Sequence, residues 1–160
     1  MSPEETATVS AFLDSYSTLT LATHGPDGPW AATVFYAHDA GLNLYFISGR
    51  TTRHVRDLLA NPEVAATVTT DFNDWESIRG LQIAARAERV GKDERYAITE
   101  LYLKKFPSVA QLQRAPQTES EEKIAKGFAA SDFFRLRPQT IRLVDNTQRF
   151  GHKVEFTLPH

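Results

Sequence analysis

The residues best suited to chemistry lie together at positions 48–56, which read Ser-Gly-Arg-Thr-Thr-Arg-His-Val-Arg. An apolar run at 42–47 precedes them, and an amphipathic segment at 55–59 follows and ends before Pro62. A strand that leads through a glycine turn into a helix is suited to hold an anion. The N–H groups of the first helical turn are free, and the helix dipole places partial positive charge there.

The charges in this segment are unusual for the start of a helix. Asp or Glu normally occupies that place, yet here the first acidic residue is Asp57. Each basic group costs about a few tenths of a kcal/mol unless an anion offsets it. We therefore predict a phosphate site; the competing interpretation is that Thr52 is only an N-cap and that the arginines are solvated. The basic residues are Arg50, Arg53, His54 and Arg56, and the hydroxyl donors are Ser48, Thr51 and Thr52.

The composition limits the class of protein. The chain has 160 residues, which predicts one domain over 1–160, and 41% apolar with 24% charged residues is typical of a globular protein. A net charge of -2 argues against a general nucleic-acid binder. The absence of cysteine excludes disulfides and thiolate catalysis and fits a cytoplasmic location. No signal-peptide pattern or membrane-spanning apolar run is present, so we expect no membrane partner.

Helices are predicted mainly at the periphery. Ser2-Pro3-Glu4-Glu5 forms a capping box that begins a helix ending near residues 14–16. A second helix is expected after the basic segment, a third over 93–105 with Tyr96, Leu101 and Leu103 as anchors, and a short one around Val109 and Leu112. Residues 114–123 are interpreted as an exposed loop that leads into a last helix through Phe128.

Six to seven antiparallel strands are expected, with tight turns joining the first three. Gly80 is the expected site of a bulge in the fifth strand. The fold class that follows is mainly β, a small barrel of antiparallel strands with flanking helices. The strands are predicted at 17–24, 30–38, 42–48, 64–70, 77–90, 133–137 with 140–144 around Pro138, and 153–158.

The order of these segments resembles the pyridoxamine 5′-phosphate oxidase-like FMN-binding split-barrel superfamily, and within it a small bacterial subgroup. The resemblance extends from Trp30 to the end of the chain and implies a split β-barrel homodimer with FMN at the subunit interface. It rests on Tyr45-Phe46-Ile47-Ser48, Thr51-Thr52-Arg53-His54, Asn61-Pro62-Glu63-Val64, Ile78–Gln82, Tyr102–Pro107, Phe134–Pro138, Leu143–Thr147 and Phe150-Gly151.

The resemblance places Thr52-Arg53-His54 where the family has a Ser-Arg-Lys pattern that binds the FMN phosphate. Thr52 keeps a hydroxyl, Arg53 keeps a bidentate fork, and His54 makes part of the charge dependent on pH. It also implies further cofactor contacts, some of them from the second subunit. The backbone of Ala32, Thr33 and Val34 is expected to contact the isoalloxazine, and Ile47, Ser48 and Thr51 are expected near the ribityl and phosphate. Arg79 and Gln82 are expected to come from the second subunit, and Phe150 to lie against the flavin.

The resemblance implies an FMN-dependent oxidoreductase acting on an unknown small molecule, with hydride transfer at flavin N5 and no required protein acid or base. Pyridoxamine 5′-phosphate oxidase activity itself is not expected, because Arg149-Phe150-Gly151-His152 departs from the family's Arg-Leu-His motif. A second hypothesis is a non-catalytic flavin-binding or sensing dimer. A third is a split barrel that uses deazaflavin or haem, although the five histidines offer no clear axial ligand and form no metal set.

Overall fold

Seven antiparallel strands and five helices make up the computed structural model, which describes residues 1–158. The element types agree with the mainly β fold predicted from the sequence. The strands are β1 (Thr18–Gly25), β2 (Gly28–His38), β3 (Leu44–Ser48), β4 (Glu63–Thr69), β5 (Arg79–Arg89), β6 (Asp132–Asp145) and β7 (Lys153–Thr157). The helices are α1 (Pro3–Ser15), α2 (Arg53–Ala60), α3 (Arg95–Lys105), α4 (Pro107–Arg114) and α5 (Glu119–Ala130).

The sheet closes on itself to form a barrel. Its strand order is β3-β2-β1-β4-β5-β6-β7, and β3 also pairs with β6. Six strands therefore form the closed barrel, and β7 extends it beyond β6. Alternate residues on these strands point inward and form the main core with the apolar side of α1.

The barrel is split along one edge of β2. The strand pairs with β1 from Gly28 to Phe35, but it pairs with β3 only from Tyr36 to His38. Within the described residues, the other edge of positions 28–35 has no strand partner. Alternate backbone N–H and C=O groups of this edge are therefore available to another molecule.

The first helix forms as its sequence predicts. Oγ of Ser2 accepts from the backbone N–H of Glu5 at 3.2 Å, and the Glu5 carboxylate accepts from the N–H of Ser2 at 2.6 Å. This reciprocal capping box satisfies two N–H groups that the helix leaves without partners. Val9, Phe12 and Leu13 lie on the buried side of the helix.

Three predictions about β5, β6 and α5 are wrong. β6 is a single strand of 14 residues that runs through Pro138, where the sequence predicted two strands. The bulge lies opposite Ala84 and Ala85, not near Gly80. Ala84 pairs with Thr140 and Ala85 with Pro138, so the register skips Gln139 and the irregularity accommodates the missing N–H of proline. α5 begins at Glu119, inside the segment predicted as a loop, because the Thr118 side chain caps it.

Of the predicted anchors of α3, Leu101 packs half-buried against apolar residues outside the barrel, but Tyr96 does not. Ile98 and Tyr102 are the buried residues of this helix, whereas Tyr96 is 78% exposed. The helix packs on the outside of the barrel, where Ile98 and Tyr102 join Tyr45 and Phe133 in a second apolar cluster. The position of the second cluster decides which face of α3 is buried, and the weak amphipathic pattern of the helix does not reveal it.

Candidate functional site

The turn between β3 and α2 brings a serine, a threonine and a histidine together. Oγ of Ser48 lies 2.8 Å from Nε2 of His54 and 3.2 Å from Oγ1 of Thr52. The Thr52 hydroxyl donates to the carbonyl of Gly49 at 3.0 Å. Thr52 holds the N-cap position of α2, but its side chain makes no capping hydrogen bond. The simple side-chain N-cap is therefore not formed, and the first N–H groups of α2 stay available to an anion.

Burial favours the neutral form of His54. Burial lowers its pKa below the usual 6.5, and the charge of Asp57 opposes that shift only in part. The carboxylate of Asp57 accepts from the Thr23 hydroxyl at 3.0 Å and lies 3.8 Å from Nε of Arg53. No hydrogen bond among residues 1–158 joins Asp57 to the imidazole, so the cluster lacks the oriented carboxylate of a hydrolytic triad.

Arg53 is held in place by the β1–β2 hairpin. One terminal nitrogen donates to the carbonyl of Asp27 at 2.9 Å, and the guanidinium carbon lies 4.4 Å from the centre of the Trp30 ring. Nε of the same side chain is buried and has no hydrogen-bond partner within the described part of the chain. A buried N–H group without a hydrogen-bond partner is uncommon, and here the carboxylate of Asp57 lies 3.8 Å from it.

The other basic residues of the segment are directed elsewhere. Arg50 forms a bidentate ion pair with Asp132, at 2.8 and 3.1 Å. Thr51 and Arg56 are exposed. Ile47 packs its side chain against the second apolar cluster, so only its backbone can border the turn that holds Ser48.

Ala32, Thr33 and Val34 lie on the part of β2 with the unpaired edge. Thr33 faces outward, with its hydroxyl 3.4 Å from that of Thr20, while Val34 packs against the main core. The backbone of this segment, not its side chains, borders the split. The contacts of this backbone to an isoalloxazine stay a prediction.

Arg79, Gln82 and Phe150 lie apart from the turn. Nε of Arg79 is 3.4 Å from Oδ1 of Asp145, and the side chain borders a cavity of about 410 Å³ beside α1. Gln82 is exposed on the outer face of β5, and Phe150 is 69% exposed between β6 and β7. In one chain, no described contact joins these three side chains to residues 48–54, so their predicted role depends on a second subunit.

The sequence analysis missed two residues of the site, Gly25 and Asp57. Gly25 leaves room for the Asp57 side chain, and Asp57 lies beside Arg53. Asp57 is 2% exposed, and a Cβ at Gly25 would lie only 2.1 Å from its Oδ1 atom. Asp57 in turn approaches Arg53, four residues earlier on the same face of α2. The i, i+4 spacing of Arg53 and Asp57 was the available signal for this pair.

The described residues contain no cluster of side chains suited to a metal ion and no helix suited to span a membrane. No group of three or more His, Asp or Glu side chains within residues 1–158 could hold a metal ion. In the same part of the chain, every helix is too short or too polar to cross a membrane.

Comparison with known proteins places this arrangement in a family. The family described as Pyridoxamine 5′-phosphate oxidase matches residues 6–145. A UPF0306 protein of Serratia proteamaculans is 30% identical over 155 residues, which cover 96% of this chain and 96% of that protein.

Solved structures share the fold. A heme binding protein from Mycobacterium smegmatis superimposes with a TM-score of 0.71 at 22% identity, covering 98% of this chain and 59% of that one. HutZ, the heme storage protein from Vibrio cholerae, gives a TM-score of 0.59 at 19% identity, covering 94% and 92%. At these identities the likeness concerns the fold alone.

Proposed function

The chain belongs to the pyridoxamine 5′-phosphate oxidase family, in its UPF0306 subgroup, and on that premise we propose that it binds FMN and is a flavin-dependent oxidoreductase. The observation that carries the proposal is the meeting of two features at one place. The unpaired edge of β2 lies beside the β3–α2 turn, and the Arg53 guanidinium there is held against the β1–β2 hairpin by the Asp27 carbonyl and the Trp30 ring. A flat ring with a phosphate tail needs both features.

The phosphate would be held by the turn and by the start of α2. Arg53 is already fixed by Asp27 and Trp30, so little side-chain entropy is lost when it meets an anion. Thr52 and Ser48 supply hydroxyls, and the exposed Thr51 supplies a third. FMN, when bound, supplies the hydride-accepting chemistry; the chain supplies position and electrostatics.

The isoalloxazine would lie along the backbone of Ala32, Thr33 and Val34. The free N–H and C=O groups of an unpaired strand edge can hydrogen-bond the polar rim of a flavin, as they would a further strand. Hydride transfer at flavin N5 requires no protein acid or base, so we assign no catalytic residue. The small-molecule substrate is not specified by these residues.

A homodimer with the cofactor at the subunit interface completes the proposal. The outer face of the sheet carries two rows of small or uncharged residues that run across β2, β1, β4 and β5, and a flat surface of this kind can pair with a copy of itself. The rows are Ala31, Ala22, Ala65 and Ala84, and Thr33, Thr20, Thr67 and Gln82.

The second subunit would bring Gln82, Arg79 and Phe150 toward the flavin. Gln82 belongs to one of the two rows, so it lies on the face that would meet the second subunit. We further propose that residues 1–160 act as one domain in the cytoplasm, with neither nucleic acid nor membrane as a partner.

The visible spectrum of the purified protein, followed by titration with FMN, tests the cofactor. The double variant Thr52→Ala/Arg53→Ala should lose about 2–4 kcal/mol of FMN binding free energy, because it removes charge-assisted hydrogen bonds to phosphate. A matched control is Thr70→Ala/Arg114→Ala, which removes an exposed threonine and an exposed arginine elsewhere. FMN affinity equal to wild type in the first variant would remove the site assignment.

Haem binding is the second candidate, because two proteins of this fold are named for heme. Two of the described histidines already have hydrogen-bond partners that compete with haem iron. Nε2 of His54 is engaged by Ser48 and Nε2 of His38 by Asp14, and His160 lies outside the described residues. A Soret band after titration with hemin, lost in a His24→Ala or His152→Ala variant, would replace the flavin proposal.

A deazaflavin and a non-catalytic flavoprotein are the remaining candidates, and binding and turnover measurements distinguish them. A deazaflavin with an acidic tail would need a basic surface beyond the turn, and it would bind more tightly than FMN in a direct competition. A non-catalytic flavin-binding or sensing dimer would bind FMN but show no turnover with any electron donor or acceptor.

A further inference from the structure

Three arginines surround one buried carboxylate beside the β3–α2 turn. Asp132, the first residue of β6, pairs with Ser48, the last residue of β3. Its oxygens accept from Arg50 at 2.8 and 3.1 Å, and they lie 3.1 Å from Arg89 and 3.9 Å from Arg95. The three arginines come from the β3–α2 turn, the end of β5 and the first turn of α3, so the chain has to close its barrel to bring them together.

The charges of this cluster do not balance. Within residues 1–158, Asp132 is the one carboxylate found within 4.0 Å of the three guanidinium groups. The cluster therefore has an excess of two positive charges, although the whole chain has a net charge of -2. Like charges held close together repel one another unless an anion lies between them.

Most of the hydrogen-bonding capacity of Arg89 and Arg95 is unused. Each oxygen of Asp132 already accepts one hydrogen bond from the fork of Arg50, and only the Nε of Arg89 and one terminal nitrogen of Arg95 come within 4.0 Å of the carboxylate. Neither guanidinium of the other two arginines donates a hydrogen bond to any residue in the described range, and each has five N–H donors. The Asp132 side chain is only 8% exposed, whereas those of Arg89 and Arg95 are 51% and 36% exposed. A ligand can therefore reach the donors.

We propose that Arg50, Arg89 and Arg95 form a second oxyanion subsite, separate from the turn of Thr52, that takes a phosphate group. The guanidinium fork matches phosphate in two-point hydrogen bonding, and the forks of Arg89 and Arg95, with the charge of Arg50 beside them, suit a doubly charged group better than a carboxylate. The group is either the second phosphate of a dinucleotide flavin or a phosphate of a separate molecule. The subsite does not depend on the proposed function, since the cluster is defined without any flavin.

Calorimetric titration with inorganic pyrophosphate tests the subsite, first with FMN-saturated protein. Wild type should bind pyrophosphate, and Arg89→Ala/Arg95→Ala should bind it at least about tenfold more weakly. The control Arg86→Ala/Arg114→Ala makes the same change in net charge away from the cluster, and its affinity should stay within about twofold of wild type. Asp132→Asn should bind pyrophosphate more tightly, by about threefold or more, since it removes the internal competitor for the arginines.

The same variants distinguish the source of the phosphate and separate the subsite from the flavin proposal. If the dinucleotide is the source, FAD should bind wild type more tightly than FMN and lose that advantage in Arg89→Ala/Arg95→Ala. If a separate molecule is the source, FAD should bind no more tightly than FMN, and FAD-saturated protein should keep its full pyrophosphate affinity. Should FMN fail to bind, the titration is made with FMN-free Thr52→Ala/Arg53→Ala, in which the turn is disabled. Equal pyrophosphate affinity in wild type and Arg89→Ala/Arg95→Ala overturns the subsite.

Discussion

Oγ of Ser48 lies 2.8 Å from Nε2 of His54, across the turn that joins β3 to α2. Burial lowers the pKa of His54 and so favours the form of this hydrogen bond in which the imidazole is neutral. The family pattern that the sequence resembles has a lysine at this place, with a permanent charge. The turn in this chain therefore gains its full positive charge only when the imidazole is protonated, at low pH or beside a bound anion.

The first prediction concerns the pH dependence of stability. The pKa of His54 is lower in the folded chain than the usual 6.5, so the unfolded chain binds more protons as the pH falls below that value. The free energy of unfolding should therefore decrease as the pH falls from 7 toward the folded pKa. His54→Gln should remove this part of the decrease, as measured by urea unfolding at a series of pH values. Identical slopes for the two proteins would contradict the assignment.

Gly25→Ala should be strongly destabilising. The new Cβ would lie 2.1 Å from Oδ1 and 2.9 Å from Cβ of the buried Asp57, which cannot move without releasing Thr23 and Arg53. We expect a loss of about 2–4 kcal/mol in thermal or urea unfolding, together with weaker FMN binding. Gly127→Ala is the control, because its Cβ would meet no atom within 4 Å on α5, and it should stabilise by about 0.5–1 kcal/mol.

Lys105 joins α3 to the end of α1, and replacing it should weaken that contact. Its Nζ donates to the carbonyls of Leu13 and Tyr16 at 2.9 and 2.8 Å and lies 4.0 Å from the centre of the Tyr36 ring. Lys105→Met should cost about 1–3 kcal/mol of unfolding free energy, since the Tyr16 carbonyl loses its donor and the Leu13 carbonyl keeps only that of the Tyr36 hydroxyl. Lys104→Met, at an exposed neighbour, should change stability by less than about 0.5 kcal/mol.

The pKa of Lys105 leads to a second prediction about the pH dependence of stability. Burial lowers the pKa of Lys105 to about 8 from 10.5, so the unfolded chain binds more protons between those values. The stability of wild type relative to Lys105→Met should therefore increase as the pH rises from 8 to 10.5. A constant difference over this interval would show that the lysine titrates normally.

The proposed dimer can be tested at the centre of the alanine row. Ala65 is exposed between Ala22 and Ala84, and an arginine there would place a charge in the middle of a flat apolar contact. Ala65→Arg should sediment as a monomer and lose FMN affinity, while Ala129→Arg, exposed on α5, should behave as wild type. Light scattering that gives a monomer for wild type at micromolar concentration would rule out the interface.

Turnover with pyridoxamine 5′-phosphate should be weak or absent. Arg149 and His152 belong to a tight turn in which the N–H of His152 donates to the carbonyl of Arg149 at 2.8 Å. Their spacing differs from the family's Arg-Leu-His motif for the substrate phosphate. Hydrogen peroxide release by FMN-loaded protein measures the activity, and robust release would show that this expectation is wrong.

Much of the fold followed from local patterns. The alternation along β1, the capping box of Ser2 and Glu5, and the glycine turn at 48–56 were each visible in a few consecutive residues. The errors came where a distant element decides the outcome. Tyr96 has the apolar ring of an anchor, but the second cluster lies on the other side of α3, so Ile98 and Tyr102 are buried instead.

By itself the sequence determined the strands, most of the helices and a basic, hydroxyl-rich turn at the start of α2, because these depend on the spacing of side chains along one element. Only the tertiary structure decided which partner each charged side chain contacts. Arg53 meets Asp27 and Trp30, whereas Arg50 crosses to Asp132, 82 residues away. The physical reason is barrel closure. Pairing β3 with β6 fixes which carboxylates and donors lie within hydrogen-bonding range. A pattern of neighbouring residues in the sequence does not show which distant residues this pairing brings together.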